Sequence, residues 1–286
     1  MGLVDFILSL AGVLIWLSWR SIRFDPLVMA TAATLVGTLR RAEPHRRPGW
    51  HLLAGLAALL VLRAVLYHLI GTEADWTPKL NLYFVVLTFR SDLLPPVMLF
   101  SLLSFARILI ICYFWLLILV IINRRSAEPN PVLKMLRLHL GGVANWPWLM
   151  QLLLPLLLVT VVWLALHPLL LHLEIAGRMR SSVHLAEQGV LIGIALYFSL
   201  QYLLPPLLLL HLVANHVYLG SSPIWDFISA TAHNVLAPLR RLPLRIATFD
   251  FAPLVGVILI LFLLHWLPNL IVGRMAASHV TLWPPQ

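Results

Sequence analysis

Residues 97–122 read VMLFSLLSFARILIICYFWLLILVII, an apolar run in which Arg107 is the one charged residue. A helix rises about 1.5 Å per residue, and roughly 20 apolar residues cross about 30 Å of hydrocarbon, so this stretch is long enough to span a bilayer. Runs of the same kind recur at about 3–18, 50–70, 147–172, 187–217 and 251–270. The sequence therefore predicts an all-α polytopic membrane protein with about six transmembrane helices.

Composition leads to the same place. Of the 286 residues, 61% are apolar and 11% charged, with a mean hydropathy of +0.93; soluble domains carry about 45–50% apolar and about 25% charged residues. Too little polar surface is present to cover the chain in water. A secreted disulfide scaffold, a disordered chain and a soluble nucleic-acid binder are excluded, the last despite a formal charge of +9 and a pI near 10.6. Cys112, the single cysteine, sits inside an apolar run, so no internal disulfide forms. Met1 to Asp5 lacks the basic start of a signal peptide and no small-residue cleavage pattern follows, so the first span is expected to be retained.

The ends of the runs carry detail. The first span is short, with Trp16 and Trp19 as interfacial anchors near Arg20. The fifth is too long for a straight crossing, and Pro205-Pro206 predicts a kink or break because proline removes a backbone donor and crowds the preceding turn. Leu93-Leu94-Pro95-Pro96 closes an apolar segment, 80–94, that reads as an interfacial or re-entrant helix.

Most basic residues fall in alternate loops. Loop 19–49 holds Arg20, Arg23, Arg40, Arg41, Arg46 and Arg47; loop 123–146 holds Arg124, Arg125, Lys134 and Arg137; loop 218–250 holds Arg240, Arg241 and Arg245. The opposite side has Lys79, Arg90, Arg178, Arg180 and Arg274. Positive charge concentrates on cytoplasmic loops, so the richer side is expected inside and both termini outside. Such a face gains about 1 kcal/mol per basic residue against anionic headgroups, which makes anionic lipid the expected partner and nucleic acid not.

The chain also repeats itself. Each odd-numbered span is followed by a cytoplasmic segment opening with a cap residue and a proline: Asp25-Pro26, Asn130-Pro131 and Ser222-Pro223. The cap side chain accepts from an orphan amide, and proline at the first helical position loses nothing by lacking an N–H. Apolar residues follow at helical spacing, namely Val28, Ala32, Leu35 and Leu39, then Val132, Leu136 and Leu140, then Ile224, Ile228, Val235 and Leu239. These read as amphipathic helices on the cytoplasmic interface, ending in Arg40-Arg41, Arg137 and Arg240-Arg241. The repeats divide the chain at 1–75, 76–180 and 181–286.

Three stretches of the third copy carry a resemblance: Ser222-Pro223-Ile224-Trp225-Asp226-Phe227, Pro238-Leu239-Arg240-Arg241-Leu242-Pro243, and Asp250-Phe251-Ala252-Pro253. They resemble the YggT family of small bacterial membrane proteins, in which a span is followed by an Asn-Pro-like entry, an Arg-Arg turn between prolines and an Asp-x-x-Pro opening of the next span. The first copy keeps Asp25-Pro26, Leu39-Arg40-Arg41 and Pro44, and the second keeps Asn130-Pro131. The resemblance implies three diverged copies in a bacterial inner membrane and motifs that are structural rather than catalytic. It further implies a role in membrane-complex assembly, envelope organisation, or ion and osmotic homeostasis.

Chemistry-bearing motifs are sparse. No phosphate-binding loop, paired-cysteine or zinc-protease pattern occurs, and the few carboxylates form no pair deep in a span, so an enzyme is not expected. His68, His167 and His265 fall at matching places in the three repeats. One reading makes them a haem- or metal-ligating layer; the other places half-polar rings at the outer interface, with no cofactor. Arg63 and Arg107 lie within spans, where a charge near the bilayer centre costs roughly 2.5–3.5 kcal/mol and normally finds a partner. Glu187 is the expected carboxylate, either locking helices or lining an ion path that Pro155 and Pro205-Pro206 would open by breaking helices. The leading expectation is a non-enzymatic scaffold or assembly subunit docking on other integral membrane proteins or on copies of itself. An ion channel or transporter is the alternative.

Overall fold

A computed structural model describes residues 2–23, 49–74, 76–124, 130–177, 181–217, 220, 222–239, 245–246 and 249–277. The long apolar runs are helices: α1 (Gly2–Arg23), α2 (Trp50–Ala74), α3 (Leu94–Ile122), α5 (Trp148–His172), the pair α6 (Ser182–Phe198) and α7 (Leu204–His216), and α9 (Ala252–Ala277). Shorter helices α4 (Pro131–Leu140) and α8 (Pro223–Leu236) stand between them. Among the described residues six stretches are long and apolar enough to cross a membrane, and they coincide with the six runs read from the sequence: Val4–Ser21, Trp50–Glu73, Leu94–Ile122, Trp148–His172, Ser182–His216 and Ala252–Ile271. The chain is a polytopic, all-α membrane protein. Large apolar side chains such as Val161, Phe262 and Leu62 are 60–62% exposed, as lipid-facing side chains must be in a bilayer that solvates them.

The chain forms two compact units, Met1–Leu80 with Thr88–Ile110, and Asn81–Leu87 with Ile111–Gln286. In the first, α1 and α2 run antiparallel, with Gly12 beside Leu56 and Trp19 beside Gly49. A Cβ on Gly12 would stand 3.0 Å from the Phe105 ring, so the missing side chain is what lets these elements approach. In the second, α5 and α6 form the tightest pair: a Cβ on Gly193 would lie 3.1 Å from the Leu156 carbonyl oxygen, and one on Gly189 would lie 3.1 Å from Thr160 Cγ2. Small residues four apart bring two backbones together, which gives dispersion contact where lipid supplies no hydrophobic drive.

The fifth crossing breaks as its prolines predict. A 3-10 turn, Ser199–Tyr202, ends α6, and α7 restarts at Leu204 with the prolines in its first turn, where absent donors leave no bond unmade. Pro95 and Pro96 likewise occupy the first turn of α3. Pro155 does not break its helix: α5 runs unbroken through both Pro155 and Pro168. Proline is tolerated in a spanning helix where neighbours re-satisfy the freed backbone, and Pro155 is buried.

The expected helix at 80–94 is absent. In its place are β1 (Lys79–Asn81) and β2 (Val86–Thr88), which pair as a two-stranded ribbon. The reason lies in the period: Leu80 and Leu87 are buried while Lys79, Asn81, Val86 and Thr88 are exposed, an alternation of two that a helix cannot satisfy. Tyr83 closes the turn at φ 78°, an unusual backbone for a bulky residue. Asn81 Oδ1 steadies it by accepting from the Tyr83 amide at 2.8 Å.

Both described amphipathic entries are capped as the sequence predicts. The Asn130 side chain accepts from Val132 N and that of Ser222 from Ile224 N, with Pro131 and Pro223 at the start of their helices. Asn130 Nδ2 also donates to the Pro223 carbonyl at 3.1 Å, so the beginnings of α4 and α8 meet. Gly141, at φ 61°, ends α4. The core beneath them joins Leu119, Val120, Leu133, Leu207, Leu208, Phe227, Ala232, Leu236 and Val257. On α8 the fully buried residues are Phe227, Thr231, Ala232 and Leu236, and three of the expected stripe, Ile228, Val235 and Leu239, pack half-buried against the same core. Ile224 is 57% exposed. Asn123 hydrogen-bonds Thr231, which lets a polar residue sit in the packed face. The entry at Asp25-Pro26 and its helix lie outside the described residues.

Candidate functional site

A buried polar cluster lies within the first unit. Asp5 and Ser9 stand one turn apart on α1, and Arg63 and Tyr67 one turn apart on α2; the antiparallel pairing brings the two spacings face to face. Arg63, 1% exposed, donates to the Asp5 carboxylate and, at 3.0 Å, to Ser9 Oγ. Asp5 also accepts from Tyr67 OH at 3.3 Å and from Ser104 Oγ on α3 at 3.1 Å. The guanidinium carbon lies over two neighbouring aromatic rings, 5.6 Å from the Tyr67 centroid and 5.7 Å from that of Phe100, and these two rings are themselves in contact at 5.9 Å. Trp76 and Phe89 complete the surround, packed edge-on against Tyr67 and Phe100 respectively. A carboxylate facing one cation and two hydroxyls neutralises Arg63 and ties three helices together.

Asp5, not Glu187, is therefore the partner of Arg63. Glu187 is exposed and bonds His184 at 3.0 Å one turn away on α6. Asp5 meets Arg63 because α1 and α2 run antiparallel, with Trp19 beside Gly49 and Gly12 beside Leu56, which carries the register on to Asp5 and Arg63. Arg107 is half-buried on α3. Sequence reasoning overlooked Asp5, Ser9, Tyr67 and Ser104; the signal was present as polar residues at i, i+4 in two neighbouring apolar helices.

A second cluster lies in the other unit, where Asn123 at the end of α3 is 1% exposed. Its amide donates to Thr231 Oγ1 at 2.8 Å and to the Leu119 carbonyl at 2.9 Å, while its oxygen accepts from Asn234 Nδ2 at 3.1 Å. Every polar atom of that amide oxygen and nitrogen pair is engaged, and α8 is held to the end of a span. Trp115 Nε1 donates to Ser199 Oγ at 3.0 Å, pinning the turn between α6 and α7.

The three histidines that the sequence reading placed at matching positions, His68, His167 and His265, occupy different surroundings. His68 is half-buried, with Nδ1 2.7 Å from the Ser91 carbonyl. His167 is buried beside Trp163, and His167 Nδ1 and Trp163 Nε1 meet no hydrogen-bond partner among the described residues. His265 is exposed on α9. Among the described residues no group of three or more His, Cys, Asp or Glu side chains is placed to hold a metal ion. Of the expected lipid-contact residues, Arg137 is exposed on α4. Arg245 opens a two-residue strand paired with Asp250. Arg40, Arg41, Arg46, Arg47, Arg240 and Arg241 lie outside the described residues. On the loop before α3, the Arg90 guanidinium beside Asp92 holds that exposed carboxyl below the usual range, chiefly by hydrogen bonding. No protein-family model, no curated protein and no solved structure matches the chain.

Proposed function

We propose that this chain is a non-enzymatic membrane scaffold, an accessory or assembly subunit that docks on other integral membrane proteins or on copies of itself. The observation that carries the reading is the Asp5–Arg63 cluster. It uses an intramembrane carboxylate–arginine pair, with the Ser9, Tyr67 and Ser104 hydroxyls turned onto it, to join helices. Exposed Lys134 and Arg137 on α4 beside Met135 suit an anionic lipid surface. With basic loops inward by the positive-inside rule, the chain sits in a bacterial inner membrane with both termini outside. The capped entries at Asn130-Pro131 and Ser222-Pro223 support a YggT-like repeat. Extraction of the tagged protein in a mild detergent tests the scaffold reading. Stoichiometric co-purification with a larger membrane complex is expected, and a strictly monomeric protein without partners overturns it.

A second reading, an ion channel or transporter, draws on the interruption of the fifth crossing at Ser199–Leu203, since broken helices place backbone groups at membrane depth. Ion flux in liposomes that disappears in Arg107→Leu supports this reading, and flux indistinguishable from empty liposomes removes it.

A further inference from the structure

The connection from the span α3 to the span α5 is built as a fixed corner. Its helix α4, 10 residues long, extends about 15 Å, too short to cross a bilayer, and joins the end of one span to the start of the next. The inner side of α4 belongs to the protein: Leu133 and His139 are buried, and Val132, Leu136 and Leu140 pack half-buried on the same core. A 3-10 turn, Gly141–Asn145, follows. Gln151, 1% exposed, holds that turn by donating from Nε2 to the Val143 and Ala144 carbonyls, each at 2.9 Å. Trp146 and Trp148 are thereby fixed at the entry of α5, 44% and 52% exposed. Tryptophans at a span end stand at headgroup level, which sets the level of the corner.

The outward side of α4 carries two stripes. Lys134 and Arg137, three residues apart and both exposed, are neighbours on one; Met135, exposed, and Leu138, half-buried, lie on the next. No Asp or Glu occurs in 131–140, and neither cationic side chain forms an ion pair among the described residues. The arginine fork matches two phosphate oxygens at once, and lysine adds a point charge. α8 supplies the contrast. The Asn130–Pro223 bond sets the starts of α4 and α8 side by side, yet residues 223–236 contain no Lys or Arg, and Ile224 and Asp226 are exposed there. Of two capped helices that meet at their starts, α4 is the one whose charge complements an anion.

We propose that the outward face of α4, with the Trp146 and Trp148 corner, docks the headgroup phosphate of one anionic phospholipid, whose glycerol and upper chain lie along Met135 and Leu138. The inference rests on the anionic-lipid part of the function proposed above and turns a diffuse basic face into a local site. The apolar stripe and the tryptophans favour a lipid over a free anion, which has no use for either. Native mass spectrometry of the full chain in detergent, titrated with phosphatidylglycerol or phosphatidylcholine of matched chains, tests it. The first phosphatidylglycerol is expected to bind roughly tenfold more tightly than phosphatidylcholine, about what two near-surface cations supply under screening. The double variant Lys134→Gln with Arg137→Gln is expected to lose that preference, and Asp226→Asn on α8 to keep it unchanged. Phosphatidylglycerol brominated on its acyl chains, added stoichiometrically, is expected to quench part of the tryptophan fluorescence, and Trp146→Phe with Trp148→Phe to remove that part. This measurement decides the matter should the charge variant not fold: quenching that persists in the phenylalanine variant overturns the proposal. Equal affinity for the two lipids overturns both the site and the anionic-lipid reading beneath it. A preference that survives in the charge variant, or that rises in Asp226→Asn, shows diffuse charge and overturns the site alone. Displacement of the lipid by millimolar inorganic phosphate shows a free-anion site and overturns the lipid assignment. Co-purification with a larger complex is measured independently, so the scaffold reading stands or falls on its own.

Discussion

Removing the Asp5 carboxylate gives the sharpest test of how the first unit is held. In Asp5→Ala, Arg63, 1% exposed, keeps Ser9 but loses its counter-charge, and Tyr67 and Ser104 lose their acceptor. An unpaired arginine near the bilayer centre costs roughly 2.5–3.5 kcal/mol. The two lost hydrogen bonds add roughly 0.5–1.5 kcal/mol each, with the 3.3 Å Tyr67 bond at the low end. Because the Asp5 side chain is 28% exposed, water and snorkelling recover part of this. The expected destabilisation is about 3 kcal/mol, read as a shift in reversible unfolding by SDS in mixed micelles followed by circular dichroism. The second half of the cycle discriminates a salt-bridge lock from simple packing. Asp5→Ala combined with Arg63→Leu removes both charges, and apolar replacement of a buried pair is often neutral or stabilising. The double variant is expected to be more stable than Asp5→Ala alone by about 2 kcal/mol. Additive effects of the two substitutions would refute the reasoning, because they would mean that the pair is not coupled.

Three further outcomes follow from local geometry. Asn130→Ala loses both the cap on Val132 N and the bond to the Pro223 carbonyl, and is expected to cost about 1–2 kcal/mol in the same unfolding assay, with Asn130→Ser recovering the cap but not the bond. Gly193→Leu places a side chain where a Cβ alone would sit 3.1 Å from the Leu156 carbonyl oxygen, so α5 and α6 must separate. A loss of about 2–3 kcal/mol is expected there, against little effect at Gly55, where a Cβ meets nothing within 4 Å. Asp92 carries a lowered folded-state pKa, so its pairing with Arg90 contributes above the ordinary carboxylate range and is lost as pH falls through the lowered value. Carboxyl NMR titration in micelles should place its midpoint below that of an unpaired aspartate, and Arg90→Gln should move it upward.

The six crossings were legible because crossing a bilayer is a one-dimensional requirement: enough consecutive apolar residues, whatever lies beside them. Length, composition, the caps at Asn130 and Ser222, and the break before Pro205-Pro206 are local properties of the chain, and each stands where its residues put it. Which polar groups meet is not local. Glu187 was the more conspicuous carboxylate, yet Asp5 holds Arg63, because partner choice depends on which helices lie antiparallel and at what register. Pro155 obeys its surroundings rather than its propensity, and residues 79–88 follow a period of two that the apolar content of 80–94 conceals. Sequence alone determined which of these segments are long and apolar enough to cross a membrane, since lipid reads each segment separately. Tertiary structure decided what the buried charges and the ribbon do, since hydrogen bonds and ion pairs in a low-dielectric interior are set by distances between segments far apart in the chain.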